Sequence, residues 1–552
     1  MADLVLGPIL RYADTTEATV WVETGEACEV EILGRQTRTF CVAGHHYALV
    51  MLEGLEPGSS YPYGVALDGE RVWPQGDDPE GSIRTPSSDD DLDLAFGTCR
   101  TAVPHRPPYT YTPDKDKRGR EVDSLAALSD RMGVTPEKEW PDALLLIGDQ
   151  VYADEVSPGV LRKIEARRST DIGSGEGIAD FEEYTWLYQE TWGDPEIRWL
   201  LATLPSAMIF DDHDVIDDWN TSGTWVRQQR RKAWWRERLI GAYMSYWIYQ
   251  HLGNLSPDEL REEEILAALR AHDGDGQVIL REFASRAADD NRSTRWSFHR
   301  DYGRTRLVVL DSRAGRIVDD DSAREMFSEN QWDWVSERLV GDFDHLLVAS
   351  SLPILMSDGL HHLEGWSEAT CAGAWGKAFR WPAEQLRQLV DLEHWPSFRL
   401  SFDRLVEELR LVGSGQRGQA PASIILLSGD VHHAYLAEAQ YPDGSGVTSK
   451  LVQAVCSPMR NPLGSIERSF MRAALSRTGS GVARLLSRSA GVSKPALRWR
   501  FVQPPTFDNQ IGTVEIRGRA SKVKIEKTKP EDWKAPRLHL SLDSQVSSGG
   551  SD

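Results

Sequence analysis

The stretch LLLIGDQVYADE, residues 144 to 155, joins a run of apolar side chains to a cluster of polar ones. The apolar run predicts a buried strand that ends at Gly148 and Asp149. Tyr152 and two further carboxylates follow within a few positions. Because open α/β sheets bind their ligands at the carboxyl ends of strands, we expect Asp149 and Tyr152 to lie at such an end and to bind a metal ion.

Length, charge and cysteine content exclude several classes of protein. A chain of 552 residues is too long for one ordinary core, so at least two domains are expected. The formal net charge of -23 argues against general binding of nucleic acids, whose phosphates would be repelled. Five scattered cysteines fit a reducing compartment, and no run reaches the roughly 18 apolar residues of a membrane span. We therefore expect a cytoplasmic protein.

Residues 1–87 predict a small all-β sandwich domain. Three runs that alternate or nearly alternate, 18–23, 28–33 and 47–52, are separated by turn residues. The segment 55–63 places a proline–glycine turn before a tyrosine that enters a strand, which resembles the tyrosine corner of fibronectin type III domains. The domain either borders an active site as a lid or docking module, or only packs against the rest of the chain.

Residues 92–530 predict an α/β domain, separated from the first by the polar linker 84–91. Short apolar runs alternate with helical stretches, such as 182–201 and 227–252, in which aromatic residues recur at helical spacing. The apolar runs are 92–96, 143–147, 206–210, 306–310, 345–349 and 423–427.

Four of these apolar runs lead into side chains that bind metals. They are followed by Cys99, by Asp149 with Tyr152, by Asp211, Asp212, His213 and Asp214, and by Asp430, His432 and His433. Taken singly, a small buried cysteine, a turn or a helix cap explains most of these clusters. Four such clusters at four strand ends are difficult to obtain as independent accidents, so together they indicate a metal site.

The donor types indicate two unlike metals. Carboxylates suit hard cations, whereas thiolate, phenolate and imidazole suit a softer or trivalent transition metal. Two metals roughly 3.5–4 Å apart supply the nucleophile, neutralise the phosphoryl oxygens and stabilise the leaving group in phosphoester hydrolysis. A carboxylate best bridges such a pair, and Asp149 is the candidate.

The motifs occur in the order of a known family. FGTCR (96–100), LLLIGDQVYADE (144–155), IFDDHDVIDDW (209–219), LVVLDSR (307–313) and LLSGDVHHA (426–434) resemble the motif series of the PhoD-type alkaline phosphatases, a branch of the calcineurin-like metallophosphatases. The resemblance implies a four-layer α/β/β/α sandwich, with two sheets between outer helices. It also implies hydrolysis of phosphomonoesters and phosphodiesters with iron and calcium, by a metal-bound hydroxide.

The resemblance also implies which residues hold each metal. Fe(III) would be held by Cys99, Asp149, Tyr152 and His432, and Ca²⁺ by Asp149, Asp212 and Asp430. Related phosphatases have a ligand histidine where this chain has Ser350 and Ser351, and its loss favours Ca²⁺ over Zn²⁺. The rest of the calcium shell stays open, with Asp154, Asp211 and Asp214 as candidates.

Four further residues receive predicted roles around the metals. By the resemblance, His213 contacts phosphate and protonates the leaving group. Arg100 and Arg313 have the planar fork that clamps a phosphate oxygen, although Arg313 equally fits a structural ion pair. His433 is expected to orient His432 from behind.

The last part of the chain departs from the acidic whole. Residues 460–500 are basic, and arginines alternate with apolar residues over 465–490, which predicts an amphipathic helix pair. The pair either contacts an anionic lipid surface or an acidic partner, or packs against the enzyme with its arginines solvated or paired. Residues 511–526 predict a hairpin, and 531–552 a flexible tail.

We therefore expect a phosphoric ester hydrolase that acts on small-molecule phosphoesters. One alternative is a phosphodiesterase specific for nucleic acid or lipid head groups. The other is a non-catalytic binding protein that keeps the fold. The preference for monoesters or diesters, the natural substrate and the oligomeric state stay open.

Overall fold

The computed structural model describes residues 2–76, 78–87, 91–318, 324–474 and 477–549, with the side chains at 470, 473, 474, 477 and 478 excepted. An all-β domain comes first in the chain. Its strands are β1 (Leu4–Ala13), β2 (Glu17–Thr24), β3 (Glu29–Ile32), β4 (Arg35–Arg38), β5 (Phe40–Val42), β6 (His45–Glu53), β7 (Ser60–Tyr63), β8 (Val65–Leu67), β9 (Glu70–Trp73) and β10 (Gly81–Arg84).

The first domain is built from two four-stranded sheets. Their strand orders are β1-β2-β6-β5 and β4-β3-β8-β9, and β10 pairs with β7. Val20, Val30 and Val50 share one core between them. Tyr61 Oη accepts a hydrogen bond from the backbone N–H of Glu56 at 2.7 Å, which closes a tyrosine corner. The all-β character predicted for this part of the chain is confirmed.

The second domain alternates strands and helices. Its strands are β11 (Leu92–Gly97), β12 (Ala143–Ile147), β13 (Ser206–Ile209), β14 (Phe298–Tyr302), β15 (Thr305–Leu310), β16 (His345–Ser350), β17 (Ser423–Ser428), β18 (Tyr435–Gln440), β19 (Lys450–Val455), β20 (Arg498–Phe501), β21 (Gln510–Arg517), β22 (Ala520–Lys527) and β23 (His539–Ser547).

The helices lie between these strands in the chain. They are α1 (Ser124–Val134), α2 (Pro158–Arg167), α3 (Phe181–Trp192), α4 (Pro195–Thr203), α5 (Gly223–Arg230), α6 (Trp235–Ser245), α7 (Leu252–Asn254), α8 (Pro257–Glu262), α9 (Glu264–Ala271), α10 (Gln277–Asp289), α11 (Glu329–Arg338), α12 (Asp358–Ala372), α13 (Lys377–Leu389), α14 (Arg399–Gly413), α15 (Ser465–Ala474) and α16 (Arg477–Ser489). A π-helical segment, Tyr246–His251, joins α6 to α7. Several helices begin where the sequence supplies a cap, as Asp123, Asp180 and Asp194 do for α1, α3 and α4.

Two sheets face each other in the second domain. One has six strands in the order β13-β12-β11-β21-β22-β23, and the other has seven in the order β14-β15-β16-β17-β19-β18-β20. Strands β11, β12 and β13 run parallel to one another, as do β15, β16, β17 and β19. The carboxyl ends of these strands therefore meet at one edge of each sheet.

Alternation along β15 shows how the layers are stacked. Leu307 and Val309 join the core that also contains Leu146 of the six-stranded sheet. The intervening Val308 packs on the other face, in a core with Phe402 of α14. Because successive side chains of a strand point to opposite faces, each sheet is covered by the other sheet on one side and by helices on the other. The predicted four-layer α/β/β/α sandwich is confirmed.

The end of the chain differs in part from its prediction. The hairpin expected over 511–526 is present as β21 and β22. The flexible tail expected from residue 531 is corrected, because β23 pairs antiparallel with β22 and buries Leu542 at the sheet edge. Residues 550–552 of that tail, and residues 475 and 476 of the basic segment, lie outside the described residues. No described helix has the length and apolar content that crossing a membrane requires.

Candidate metal centre

The predicted ligands converge where parallel strands of both sheets end. Cys99 follows β11, Asp149 follows β12, and Asp430 follows β17 of the other sheet. Cys99 Sγ lies 3.6 Å from the carbonyl oxygen of Asp430. The backbone N–H of Arg100 points to the carbonyl oxygen of Asp149 at 3.4 Å. Folding thus brings together residues that are far apart in the sequence.

Four of these residues hold backbone conformations that side chains with a Cβ rarely adopt. The φ angle is 58° at Cys99, 50° at Asp149, 64° at Asp430 and 50° at His432. Residues in this left-handed region cost about 1–3 kcal/mol each and concentrate at functional sites. Such a series at one end of the fold indicates that the loops are shaped to direct these side chains toward a common centre.

Cys99, Tyr152 and His432 provide the softer donors. Asn461 holds two of them, because its side-chain amide donates to Tyr152 Oη at 3.2 Å and its carbonyl oxygen lies 2.8 Å from His432 Nδ1. His432 therefore carries a proton on Nδ1, which leaves the lone pair of Nε2 available to bind a metal. Ser457 Oγ lies 3.2 Å from Cys99 Sγ and accepts the backbone N–H of His432.

Carboxylates form the oxygen-rich part of the centre. One oxygen from each of Asp149, Asp211 and Asp212 lies within 4.8 Å of the others. Asp430 adjoins them, since Arg313 Nη2 lies 3.3 Å from Asp212 Oδ2 and 3.4 Å from Asp430 Oδ1. Among the described residues, the buried oxygens Asp149 Oδ1 and Asp211 Oδ2 have no hydrogen-bond partner. Buried carboxylate oxygens need a compensating partner, and a cation would supply one.

The protonation of these carboxylates reflects their crowding. Burial, followed by the charges of Asp212 and Asp211, raises the pKa of Asp149 well above its ordinary value, against the opposing charge of His213. Burial also raises the pKa of Asp211, although Arg313 opposes it. A bound cation would relieve this repulsion and keep the carboxylates ionised. The residues present therefore fit a metal centre.

His213 lies beside the carboxylates and is held by Asp154. The distance from His213 Nδ1 to Asp154 Oδ1 is 3.0 Å, and the His213 ring lies 4.8 Å from that of Tyr152 between centroids. Burial alone would lower the pKa of His213, but Asp154 raises it well above its ordinary value. The other oxygen of Asp154 accepts the backbone N–H of Asp217 at 2.7 Å. Asp154 therefore orients His213.

Asp214 ties the loops of the centre together. Its Oδ2 accepts the backbone N–H groups of Asp149 and Asp211, at 3.0 and 2.9 Å. Its Oδ1 accepts from the side-chain amide of Gln250 at 3.2 Å. Of the three residues predicted as further calcium candidates, Asp211 is therefore the one that keeps an unpartnered oxygen.

Both predicted arginines form ion pairs. Arg100 lies 2.8 Å from Asp123 and donates to the carbonyl oxygen of Thr191, and its side chain is almost fully buried. The prediction that Arg100 clamps a phosphate oxygen is wrong, because Asp123 and Thr191 already bind its guanidinium. Of the two roles predicted for Arg313, the structure shows the ion pair, with no part of the side chain exposed. Its partners are Asp211, Asp212, Glu393 and Asp430.

The prediction for His433 is also corrected. Its Nδ1 lies 2.6 Å from the carbonyl oxygen of Val431, and its ring stacks on Tyr435. The contact that orients His432 comes from Asn461 instead.

Three residues near the centre were not predicted. Asn461 lies six residues after β19, a further parallel strand that ends at the same edge, so the largely apolar stretch 451–455 was a usable signal. His394 Nε2 lies 3.2 Å from Asp430 Oδ2, and its Nδ1 lies 2.8 Å from Glu364 Oε1. Glu364 lies within α12 and His394 precedes a single 3₁₀ turn, so neither follows a strand. No local pattern marks these two residues.

A cavity of about 350 Å³ opens beside the centre. Tyr152 and Asp154 line it, together with Tyr109, Lys117 and Arg120. Arg120 Nε is buried and has no partner within the described part of the chain. Three basic residues, Lys117, Arg118 and Arg120, and three acidic ones, Asp154, Glu155 and Glu176, line this cavity. The cavity therefore offers room next to the carboxylates for part of a substrate.

Two family models and one solved structure are similar to this chain. Residues 133–490 match the family model described as PhoD-like phosphatase, and residues 1–86 match a domain of unknown function, DUF7800. A solved structure titled "Structure of PhoD" superposes with a TM-score of 0.59 at 13% sequence identity, covering 99% of this chain and 91% of that one. At this identity the superposition shows the fold alone. No curated protein matches the sequence.

The family model covers more than half of the chain, and its matched region contains Asp149, Tyr152, Asp212, Asp430 and His432. The four layers found here are also those of the fold that the motif series predicted. The chain belongs to the PhoD-like phosphatase family and is a phosphoric ester hydrolase.

Proposed function

We propose that the protein hydrolyses phosphomonoesters and phosphodiesters at a binuclear centre that holds Fe(III) and Ca²⁺. The observation that carries this proposal is the cluster of buried carboxylates Asp149, Asp211 and Asp212, in which Asp149 Oδ1 and Asp211 Oδ2 have no partner among the described residues. Iron would be held by Cys99, Asp149, Tyr152 and His432, and calcium by Asp149, Asp212 and Asp430.

The donor sets support two unlike metals. Ser457 contacts Cys99, and Asn461 contacts both Tyr152 and His432. Thiolate, phenolate and imidazole are donors that suit a transition metal. The oxygen-only set around Asp212 and Asp430 suits Ca²⁺. When bound, the two metals neutralise phosphoryl oxygens and make water nucleophilic near neutral pH.

His213 is proposed as the acid that protonates the leaving oxygen. Asp154 engages Nδ1, so the proton available to a substrate is the one on Nε2. Asp154 also fixes the direction of the ring through its second contact, with the backbone of Asp217. His213 and Asp154 thus act as a proton donor and its positioning residue.

The adjacent cavity supports action on diesters as well as monoesters. A monoester needs only the centre itself, whereas a diester has a second substituent that must lie beside it. The cavity at Tyr152 and Asp154 would hold that substituent, with Lys117 and Arg120 within its wall.

Two other functions are less well supported. A non-catalytic binding protein disagrees with membership of a family of hydrolases. A nuclease disagrees with the net charge of -23, which would oppose a polyanionic strand.

The test is turnover of p-nitrophenyl phosphate and bis(p-nitrophenyl) phosphate by protein supplied with Fe(III) and Ca²⁺. Asp149→Asn keeps the shape of the proposed bridging side chain and removes its charge. We expect a loss of at least about 100-fold in kcat, because the metals supply several kcal/mol of charge stabilisation. Iron and calcium content, measured by elemental analysis, should fall in the same variant.

Asp333→Asn, at an exposed position of α11, is the matched control and should keep full turnover and metal content. Full activity of Asp149→Asn would show that the centre lies elsewhere. Metal-loaded protein that hydrolyses neither ester would contradict the proposed substrate range.

A further inference from the structure

The helix pair α15–α16 packs in an unusual orientation. Helix α16 lies against α12. Among its described side chains, the small Ala483 and Ser487 are buried and Leu486 is half-buried. Two larger apolar residues point outward, since Val482 is 57% exposed and Leu485 is 66% exposed. Ile466 of α15 is 84% exposed. A surface helix normally buries its large apolar residues, so this face is arranged for contact with something outside the chain.

Cations line a cavity between α16 and residues 492–499. Arg484, Arg488, Lys494 and Arg498 line a cavity of about 410 Å³, in which Asp358 is the carboxylate. Arg484 pairs with Asp358 at 2.9 Å, but remains half exposed. Within the described residues, Arg488, Lys494 and Arg498 form no ion pair. The surface is therefore locally cationic, although the chain as a whole carries -23.

The same segment is tied to the entrance of the metal centre. Asn461, just before α15, contacts both Tyr152 and His432. Arg468 of α15 lies 3.1 Å from Glu121, and Ser465 Oγ donates to Asp114 at 3.0 Å. These contacts connect the helix pair to the loop whose residues 117, 118 and 120 line the substrate cavity. Helix α15 is therefore linked to the loop that borders the centre.

We propose that α15, α16 and residues 492–499 form a docking surface for an anionic lipid bilayer. Exposed apolar side chains enter the interface between headgroups and acyl chains, while arginine and lysine side chains bind the anionic headgroups. The cavity between α16 and residues 492–499 provides a place for a headgroup phosphate. A nucleic acid would use the cations but not Val482, Leu485 and Ile466, so lipid explains both features of the surface.

The test is co-sedimentation of the full chain with phosphatidylcholine vesicles, prepared with and without phosphatidylglycerol. Binding is expected only with phosphatidylglycerol, and it should weaken as salt is added, because the charges are screened. Arg488→Gln should weaken binding about fivefold, in line with the contribution of one cation near an anionic surface. Val482→Ser should also weaken binding, and its effect should persist at high salt.

Matched controls are taken from elements outside this surface. Arg38→Gln on β4 and Val134→Ser at the end of α1 change the same residue types at exposed positions and should bind like the unaltered protein. All four variants should hydrolyse a soluble chromogenic ester at the normal rate, which shows that they are folded.

Several outcomes would overturn the proposal. Equal binding with and without phosphatidylglycerol would show that the surface does not recognise an anionic headgroup. If the unaltered protein binds neither vesicle, the proposal is wrong. This holds whether or not the protein binds inorganic phosphate or an acidic polypeptide. Full binding by both Arg488→Gln and Val482→Ser would place the contact elsewhere.

Discussion

Tyr152 is the side chain whose chemistry depends most directly on the proposed iron. Burial, followed by the charges of Asp149 and Cys99, raises the pKa of its phenol well above the ordinary value. Deprotonation therefore requires a cation beside the oxygen. Asn461 donates a hydrogen bond to that oxygen at 3.2 Å, which favours a phenolate acceptor.

Replacement of Tyr152 by phenylalanine should remove a visible signature. Protein loaded with Fe(III) is expected to show a tyrosinate-to-iron charge-transfer band, and Tyr152→Phe should lack that band. Absorption spectra recorded during addition of Fe(III) measure it. Tyr302→Phe, on β14, is the control and should keep the band. A colourless iron-loaded protein, or a band that survives in Tyr152→Phe, would contradict the assignment of this ligand.

At the scale of elements, the ends of β11 and β17 approach each other closely. A Cβ atom added to Gly429, directly after β17, would lie 1.6 Å from Thr98 Cγ2, directly after β11. Thr98 Oγ1 in turn donates to the carbonyl oxygen of Gly148 at 3.1 Å. Three strand ends are thus packed without room for a further carbon, and each leads to a predicted metal ligand.

Gly429→Ala should therefore damage both stability and the centre. Overpacking at a tight contact costs about 1–3 kcal/mol of the free energy of unfolding, measured by chemical denaturation. The displaced loops should also bind iron more weakly. Gly133→Ala is the matched control, because no atom lies within 4 Å of its added Cβ and it occupies a helix. That variant should gain about 0.4–1 kcal/mol, and equal stability of the two variants would contradict the steric explanation.

At the scale of the whole molecule, the two domains share a core. Leu6 and Trp21 of the first domain belong to the same apolar cluster as the six-stranded sheet. Arg11 is fully buried and donates to the carbonyl oxygens of Ser206 and Gln250. The first domain is therefore packed firmly against the second and supports its strand β13.

His45 adds a pH-dependent contact between the domains. Its ring nitrogens each lie 2.9 Å from a carboxylate, Glu23 on β2 and Glu182 on α3. Burial alone would lower the pKa of His45, but the hydrogen bonds to Glu182 and Glu23 raise it to about 9. Tyr249 also donates to Glu23, and the side-chain amide of Gln189 approaches it at 3.4 Å.

The stability contributed by His45 should be lost at high pH. The folded pKa lies above the unfolded value of about 6.5, so the contribution is complete below that value and disappears as pH rises through about 9. At about pH 6, His45→Gln should unfold at a lower temperature than the unaltered protein. The corresponding loss in the free energy of unfolding is about 1 kcal/mol or less. Near pH 10 the two should unfold alike, as this linkage requires. His272→Gln, at an exposed position, should follow the unaltered protein at every pH. A deficit in His45→Gln that stays constant with pH would contradict the ion pairs.

Much of the architecture could be predicted because its signals are local. The apolar run 143–147 must be buried, and a polar residue directly after it must lie at the strand end, so Asp149 was predictable from its neighbours. The same reasoning located Cys99, Asp212 and Asp430. The prediction of a flexible tail was wrong because residues 539–547 alternate only weakly. Their pairing is decided by the exposed edge of β22.

Only the tertiary structure decided which partners surround those residues. Folding buries the guanidinium of Arg100 against Asp123 and the carbonyl oxygen of Thr191. It also links Glu364 of α12 to Asp430 through His394. By itself, the sequence determined the all-β character of the first domain, the α/β character of the second and several of the residues at the strand ends. Partner choice depends on distances between segments far apart in the chain, and such distances exist only once the two sheets have packed face to face.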